Sequence, residues 1–220
     1  MNLQVKAFGK SLLVVIWFYM VSIVISSLIV ILCGSENTYA SFMKSHSNLI
    51  NCLIYMIIFG GVCLFDHQRD VFFSSFKSLN IKNIISFIGM GLGAYFIGIM
   101  ITNLLIGIFP EYNEISNSFN AYEPILRFVA MVILPPLVEE YLFRFKIQGY
   151  LKEGLGTPIA IIGQALLFGI LHYYMLQKIY ATVLGILFGY MRERKGTIQV
   201  SIWMHITVNF LGWLAGVFLV

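Results

Sequence analysis

The chain is dominated by uninterrupted apolar runs of about 20 residues, the length that an α-helix needs to cross the hydrocarbon core of a bilayer. Apolar residues make up 59% of its 220 residues, whereas charged residues make up only 11%. In a typical soluble domain, charged residues make up about twice that share of the sequence. The sequence therefore predicts an all-α fold, a polytopic integral membrane bundle of helices.

Seven membrane-spanning helices are predicted from these runs. The first is interpreted as an uncleaved span, because its length of about 22 residues exceeds that of a signal-peptide apolar region. A polar, acidic loop from Pro110 to Glu123 separates the first three spans from the others. We therefore divide the chain into N-terminal transmembrane helices at residues 1–120 and a C-terminal core at residues 121–220. The predicted spans cover about residues 11–32, 48–65, 84–109, 122–151, 158–176, 179–191 and 198–219.

Lysine and arginine are distributed unevenly between the predicted loops. Most of the 14 precede span one or lie between spans two and three, near the end of span four, or between spans six and seven. Because cytoplasmic loops are enriched in these residues, the pattern predicts a multi-pass cell-membrane protein with a cytoplasmic N-terminus and an extracytoplasmic C-terminus. The net charge of +4 is explained by these loops, and no nucleic-acid partner is expected.

Several ionisable and polar side chains interrupt the apolar stretches of the C-terminal half. A charge at membrane depth costs at least a few kcal/mol, so such a residue is expected to serve a function. The residues concerned are Glu139, Glu140, Arg144, His172, His205 and Asn209.

The helical rise places these side chains at one depth. Counted at about 1.5 Å per residue from the predicted cytoplasmic helix ends, Glu139 and His172 both lie about 20 Å deep. On the same count His205 and Asn209 lie about 15–21 Å deep, and their i,i+4 spacing makes them project together. Three separate helices are therefore predicted to bring polar groups to one layer.

The spacing along each helix also predicts which side chains face each other. Glu140 and Arg144 are at i,i+4 and should pair, so that Arg144 keeps Glu140 ionised. Glu139 is rotated by about 100° from Glu140 and should face a different neighbour. Phe168 and His172 are also at i,i+4, so the phenyl ring should limit the movement of the imidazole.

This set of groups suits the activation of water for attack on an amide carbonyl. We expect Glu139, together with His172, to take the proton of the attacking water. His205 and the Asn209 amide would donate hydrogen bonds to the oxyanion, and one such donor is typically worth about 3 kcal/mol.

A metal-dependent alternative uses the same residue types. Glu139, His172 and His205 are zinc ligands in kind and would leave a fourth position for water. Their spacing is not the HExxH signature, so the sequence does not require zinc. Both mechanisms remain open, and activity lost to a chelator and restored by zinc would favour the metal.

Three short motifs resemble the CPBP intramembrane protease family, the group of type II CAAX prenyl proteases and bacteriocin-immunity (Abi) proteins. They are EExxxR at residues 139–144, FxxxH at residues 168–172 and HxxxN at residues 205–209. The resemblance covers about residues 121–220. One departure is Phe145, where the family commonly has glycine.

The resemblance implies an all-helical membrane fold whose catalytic cavity opens toward the cytoplasmic side. It implies peptide-bond hydrolysis in which Glu139 and His172 activate water, and in which His205 and Asn209 hold the oxyanion. Family members are often labelled metalloproteases, and the resemblance also permits a metal-free glutamate mechanism.

The leading functional prediction is an intramembrane endopeptidase that acts on a membrane-associated or lipophilic peptide. Its expected partners are the lipid bilayer and a peptide or protein substrate, and peptide maturation, signalling and bacteriocin immunity all fit this activity. A non-enzymatic immunity protein is one alternative, and it would keep its protective effect when Glu139 is replaced. A proton-coupled transporter is another, because carboxylates at membrane depth also serve as proton relays.

Overall fold

A computed structural model describes residues 2–78, 80–110 and 124–218, and in these ranges the chain is helical apart from short turns. The all-α prediction is confirmed, with no strand among the described residues. The helices are α1 (Leu3–Cys33), α2 (Glu36–Phe65), α3 (Arg69–Ser74), α4 (Ile81–Leu105), α5 (124–155), α6 (Thr157–Ile170), α7 (Met175–Lys195) and α8 (Gln199–Phe218).

Three of the described helices, α1, α2 and α4, are long and apolar enough to cross a membrane. Many of their apolar side chains are exposed, which would be unfavourable in water. Leu32 and Phe65, for example, are each 84% exposed. Lipid solvates such side chains without cost, so these helices support the prediction of a membrane protein.

The predicted count of seven spans is not confirmed. The predicted fifth span, residues 158–176, is wrong at its C-terminal end, because α6 ends at Ile170 after 14 residues. The chain turns over residues 171–174, and α7 then extends well beyond the predicted sixth span at both ends. Residues 111–123, which hold most of the predicted acidic loop and the domain boundary after residue 120, lie outside the described residues.

Helix α5 forms the centre of the molecule, and its middle turns are π-helical. Residues 138–144 are all buried, including both glutamates and Arg144. A π-helical turn adds one residue per turn and is often found at functional sites. The segments of α5 are Pro124–Phe128 (α), Val129–Ile133 (π), Leu134–Glu139 (α), Glu140–Ile147 (π) and Gln148–Leu155 (α).

The turn between α5 and α6 depends on glycine. Gly156 has φ +83°, a conformation that residues with a side chain rarely adopt. The predicted end of this helix near Gly154 is therefore close to the observed end at Leu155. Gly154 itself allows α1 to approach, since a Cβ atom there would lie 2.6 Å from the Cβ of Ala7.

A buried ion pair ties the turn after α2 to the centre of α5. Lys146 Nζ lies 2.7 Å from Asp66 Oδ1, and the two side chains are 4% and 7% exposed. The Tyr141 hydroxyl donates a second hydrogen bond to the same carboxylate, and Gln68 Oε1 accepts from Lys146 at 3.2 Å. The structure therefore buries a lysine that the charge pattern counted on the cytoplasmic side, near the end of span four.

This ion pair predicts an acid-sensitive contribution to stability. Burial alone would raise the pKa of the Asp66 carboxyl, but hydrogen bonds from Lys146 and Tyr141 outweigh it and hold the pKa below its usual value. A carboxyl whose pKa is lowered by folding stabilises the protein above its unfolded pKa of about 3.9, and that contribution is lost as the pH falls through the lower, folded pKa. Asp66→Asn should therefore lower the melting temperature at pH 7, and its difference from the parent should shrink as the pH falls toward 3.

The measurement is thermal unfolding in detergent between pH 7 and pH 3. Asp70→Asn is the matched control, because the Asp70 side chain is 93% exposed and its nearest cation is 4.0 Å away. A difference between Asp66→Asn and the parent that stays constant over this range would contradict the assignment.

Candidate active site

The four residues predicted to be catalytic line one cavity of about 600 Å³. Helix α5 supplies Glu139, the turn after α6 supplies His172, and α8 supplies both His205 and Asn209. Phe168, the aromatic partner predicted for His172, lines the same cavity. The structure therefore brings together groups that lie up to 70 residues apart in the chain.

Glu139 is held at the cavity wall by groups from two other helices. The Tyr55 hydroxyl of α2 donates a hydrogen bond of 2.5 Å to Oε1. On the other side, Oε2 lies 3.7 Å from Nε2 of His205 on α8. The carboxylate is thus oriented by a neutral donor and faces an imidazole, with only 8% of the residue exposed.

The two imidazoles are each anchored through Nδ1. His205 Nδ1 lies 2.9 Å from Glu140 Oε1, and His172 Nδ1 lies 3.1 Å from the carbonyl oxygen of Phe168. A carboxylate and a carbonyl only accept hydrogen bonds, so we assign the Nδ1 hydrogen to both rings. Nε2 of each ring is then left for chemistry, as an acceptor when the ring is neutral and as a donor when it is protonated.

The predicted pairing of Glu140 with Arg144 is present behind the cavity wall. Arg144 Nη1 lies 3.2 Å from Glu140 Oε1, and both side chains are fully buried. The guanidinium also faces the rings of Phe168 and Phe188, at 4.2 and 5.4 Å from their centroids. Because Glu140 also contacts His205, this pair links α5 to α8 without itself lining the cavity.

Asn209 makes a contact that its spacing in the sequence does not predict. Its Nδ2 donates a hydrogen bond of 2.8 Å to the backbone carbonyl of Met131 on α5. One hydrogen of the amide is therefore already engaged, and an oxyanion would have to be held by the other.

The residues as placed do not form a three-ligand metal site. Over residues 2–78, 80–110 and 124–218, no group of three or more His, Cys, Asp and Glu side chains is arranged to hold a metal ion. Zinc binding by Glu139, His172 and His205 therefore stays a prediction from the sequence, which this arrangement of side chains does not support.

The cavity also contains polar residues for which the sequence offered no motif. Tyr55 is one of 12 tyrosines in the chain and has no motif spacing to Glu139, 84 positions away. No pattern in a single sequence would have identified it. The neutral polar lining from α2, α4 and α7 comprises Asn51, Tyr55, Tyr95, Thr102, Asn103, Gln177 and Tyr180.

The C-terminal part of the chain is similar to a known protein family. Residues 121–211 match the family model described as type II CAAX prenyl endopeptidase Rce1-like. The predicted resemblance to this group is thus confirmed for a segment that contains all three motifs. No curated protein and no solved structure matches the chain.

Proposed function

We propose, on the premise that residues 121–211 are an Rce1-like segment of the type II CAAX prenyl endopeptidases, that this protein is an intramembrane endopeptidase. Its substrate would be a membrane-associated or lipophilic peptide. The observation that carries the proposal is the placement of Glu139, His172 and His205 on one cavity, in a chain with three helices that are long and apolar enough to cross a membrane.

In the proposed reaction, Glu139 is the general base. Its carboxylate takes one proton from a water molecule, whose oxygen attacks the carbonyl carbon of the scissile peptide bond. The proton then passes to the amide nitrogen as the C–N bond breaks, which leaves a carboxyl group on one product and an amine on the other. The Tyr55 hydrogen bond leaves Oε2, the oxygen that faces His205, as the base.

The two imidazoles are proposed to act on different atoms, one on the attacking water and the other on the oxygen of the attacked carbonyl. His172 offers Nε2 to the attacking water and shares in its activation with Glu139. His205, when protonated, donates from Nε2 to the oxyanion, and its Nδ1 is held by Glu140. A preorganised donor of this kind is typically worth about 3 kcal/mol in the transition state.

The neutral polar lining of the cavity suits a polypeptide substrate. Amide side chains such as those of Asn51 and Asn103 both donate and accept hydrogen bonds, as peptide groups do. Aromatic rings such as that of Tyr95 provide apolar contact area between them. A cavity of about 600 Å³ holds a few residues of an extended chain.

The proposal is tested by incubating the purified protein, in detergent and in proteoliposomes, with matched apolar peptides. One member of each pair carries a farnesylated cysteine followed by three residues, and the other is unmodified. Mass spectrometry of the products should show new carboxyl termini that depend on the protein. A folded protein that cleaves none of these peptides would contradict the proposal.

Tyr55→Phe should reduce kcat by about tenfold and leave KM nearly unchanged. The substitution removes only the hydroxyl that orients Glu139, and a hydrogen bond to a charged group is worth about 1.5–3 kcal/mol. Steady-state kinetics on a cleaved peptide measures both constants.

Tyr190→Phe is the matched control, because Tyr190 is exposed on α7 and does not line the cavity. If Tyr55→Phe behaves like Tyr190→Phe in kcat, the hydroxyl of Tyr55 has no part in orienting the base.

A further inference from the structure

Helix α5 carries two consecutive prolines, Pro135 and Pro136, just before its glutamates. Proline has no backbone N–H and cannot donate to a helical carbonyl. The carbonyl of Met131 would accept from residue 135 in an α-helix and from residue 136 in a π-helix. In either register, that carbonyl has therefore lost its backbone donor.

The one remaining helical donor, the N–H of Leu134, already makes another hydrogen bond. A 3₁₀ turn would offer the N–H of Leu134 to Met131, but this N–H donates to the carbonyl of Val129. A backbone carbonyl left without a donor away from water is strongly unfavourable. The missing hydrogen therefore has to come from a side chain or from water in the cavity, which Met131 also lines.

Asn209 supplies it, through the 2.8 Å hydrogen bond from Nδ2 to Met131. The same face of α8 carries His205, one helical turn earlier, and His205 contacts Glu139 and Glu140. The hydrogen bond from the Asn209 amide and the contacts of the His205 imidazole thus connect α8 to two successive segments of α5.

We propose that Asn209 is a positioning residue whose side-chain amide replaces the backbone donors that Pro135 and Pro136 lack, and so fixes α5 against α8. The contact sets the separation of the Glu139 carboxylate from the His205 imidazole, which is 3.7 Å. The kinetic part of this inference rests on the proposed function, whereas its structural part does not.

The test is a double-mutant cycle between Asn209 and the two prolines. Asn209→Leu keeps the approximate size of the side chain but cannot donate. Pro135→Ala and Pro136→Ala, singly and together, return backbone N–H groups to α5. For each variant, the melting temperature in detergent, kcat and KM are measured.

In the native background, Asn209→Leu should lower the melting temperature and reduce kcat by about 10²-fold with little change in KM, as misplacement by about 1 Å does. In at least one alanine background the same substitution should cost less than about tenfold in kcat and little in melting temperature. A backbone N–H then serves the carbonyl of Met131.

Thr207→Val is the matched control on α8, because the Thr207 hydroxyl donates within its own helix, to Trp203. Its effect on the melting temperature should be the same in every background. The single proline variants keep the test informative should the double variant fail to fold.

Equal effects of Asn209→Leu in all backgrounds would overturn the inference and would favour an amide that acts only on the substrate. If no variant and no parent protein cleaves peptide, the proposed function fails. The structural role of Asn209 would still be tested, because the loss in melting temperature caused by Asn209→Leu should depend on whether the prolines are present.

Discussion

Glu139→Gln should abolish detectable peptide cleavage while the protein remains folded. The substitution keeps the size of the side chain and an oxygen that can accept from Tyr55, but the amide cannot take a proton from water. Loss of a general base typically costs about 10²–10⁴-fold in rate. The residue faces a cavity and has no ion pair with arginine or lysine among the described residues, so its removal should disturb the fold little.

Cleavage of a peptide substrate, followed by mass spectrometry, measures the rate. Glu153→Gln is the matched control, because Glu153 lies on the same helix but is exposed and outside the cavity. Unchanged turnover by the Glu139 variant would show that Glu139 is not the general base. It would also favour the alternative in which the protein acts by binding alone.

Breaking the ion pair of Glu140 and Arg144 should have the largest effect on stability. Both side chains are fully buried, and removal of one partner leaves an uncompensated charge in the core. Such a change typically costs about 3–5 kcal/mol of the free energy of unfolding. Arg144→Ala also removes the guanidinium from between two aromatic rings, which adds to the loss.

Thermal and denaturant unfolding in detergent measure this effect, with Arg194→Ala as the control at an exposed site on α7. The paired replacement Glu140→Leu with Arg144→Met should recover part of the lost stability, because neither charge then remains buried. It should not recover kcat, because His205 loses the acceptor that fixes its Nδ1. Equal stability of Arg144→Ala and Arg194→Ala would contradict a structural role for the pair.

The depth of the site was roughly predictable from the rise of an ideal α-helix, although residues 140–147 of α5 are π-helical. Counting residues from the predicted helix end near Gly154 and from the basic loop that ends at Lys195 placed Glu139 and His205 at similar depths. Glu139 Oε2 and His205 Nε2 lie 3.7 Å apart. The pairing of Glu140 with Arg144 followed in the same way from i,i+4 spacing. These features depend on local geometry alone.

Other features depend on contacts between residues of different helices, and these contacts cannot be recognised in a single sequence. The end of α6 at Ile170 lies inside a mainly apolar stretch, and the turn residues 171–174 contain neither glycine nor proline. The burial of Lys146 depends on Asp66, 80 positions earlier in the chain. The contact of Tyr55 with Glu139 likewise arises only once α2 packs beside α5.

The most direct test of a hydrolytic site built on Glu139 is cleavage in water enriched in ¹⁸O. Of the two products that the parent protein releases, the one with the new carboxyl group should carry one solvent oxygen there. This labelled product should vanish with Glu139→Gln but persist with Glu153→Gln. Labelled product formed by the Glu139 variant at the rate of the parent, or product without solvent oxygen, would contradict the account.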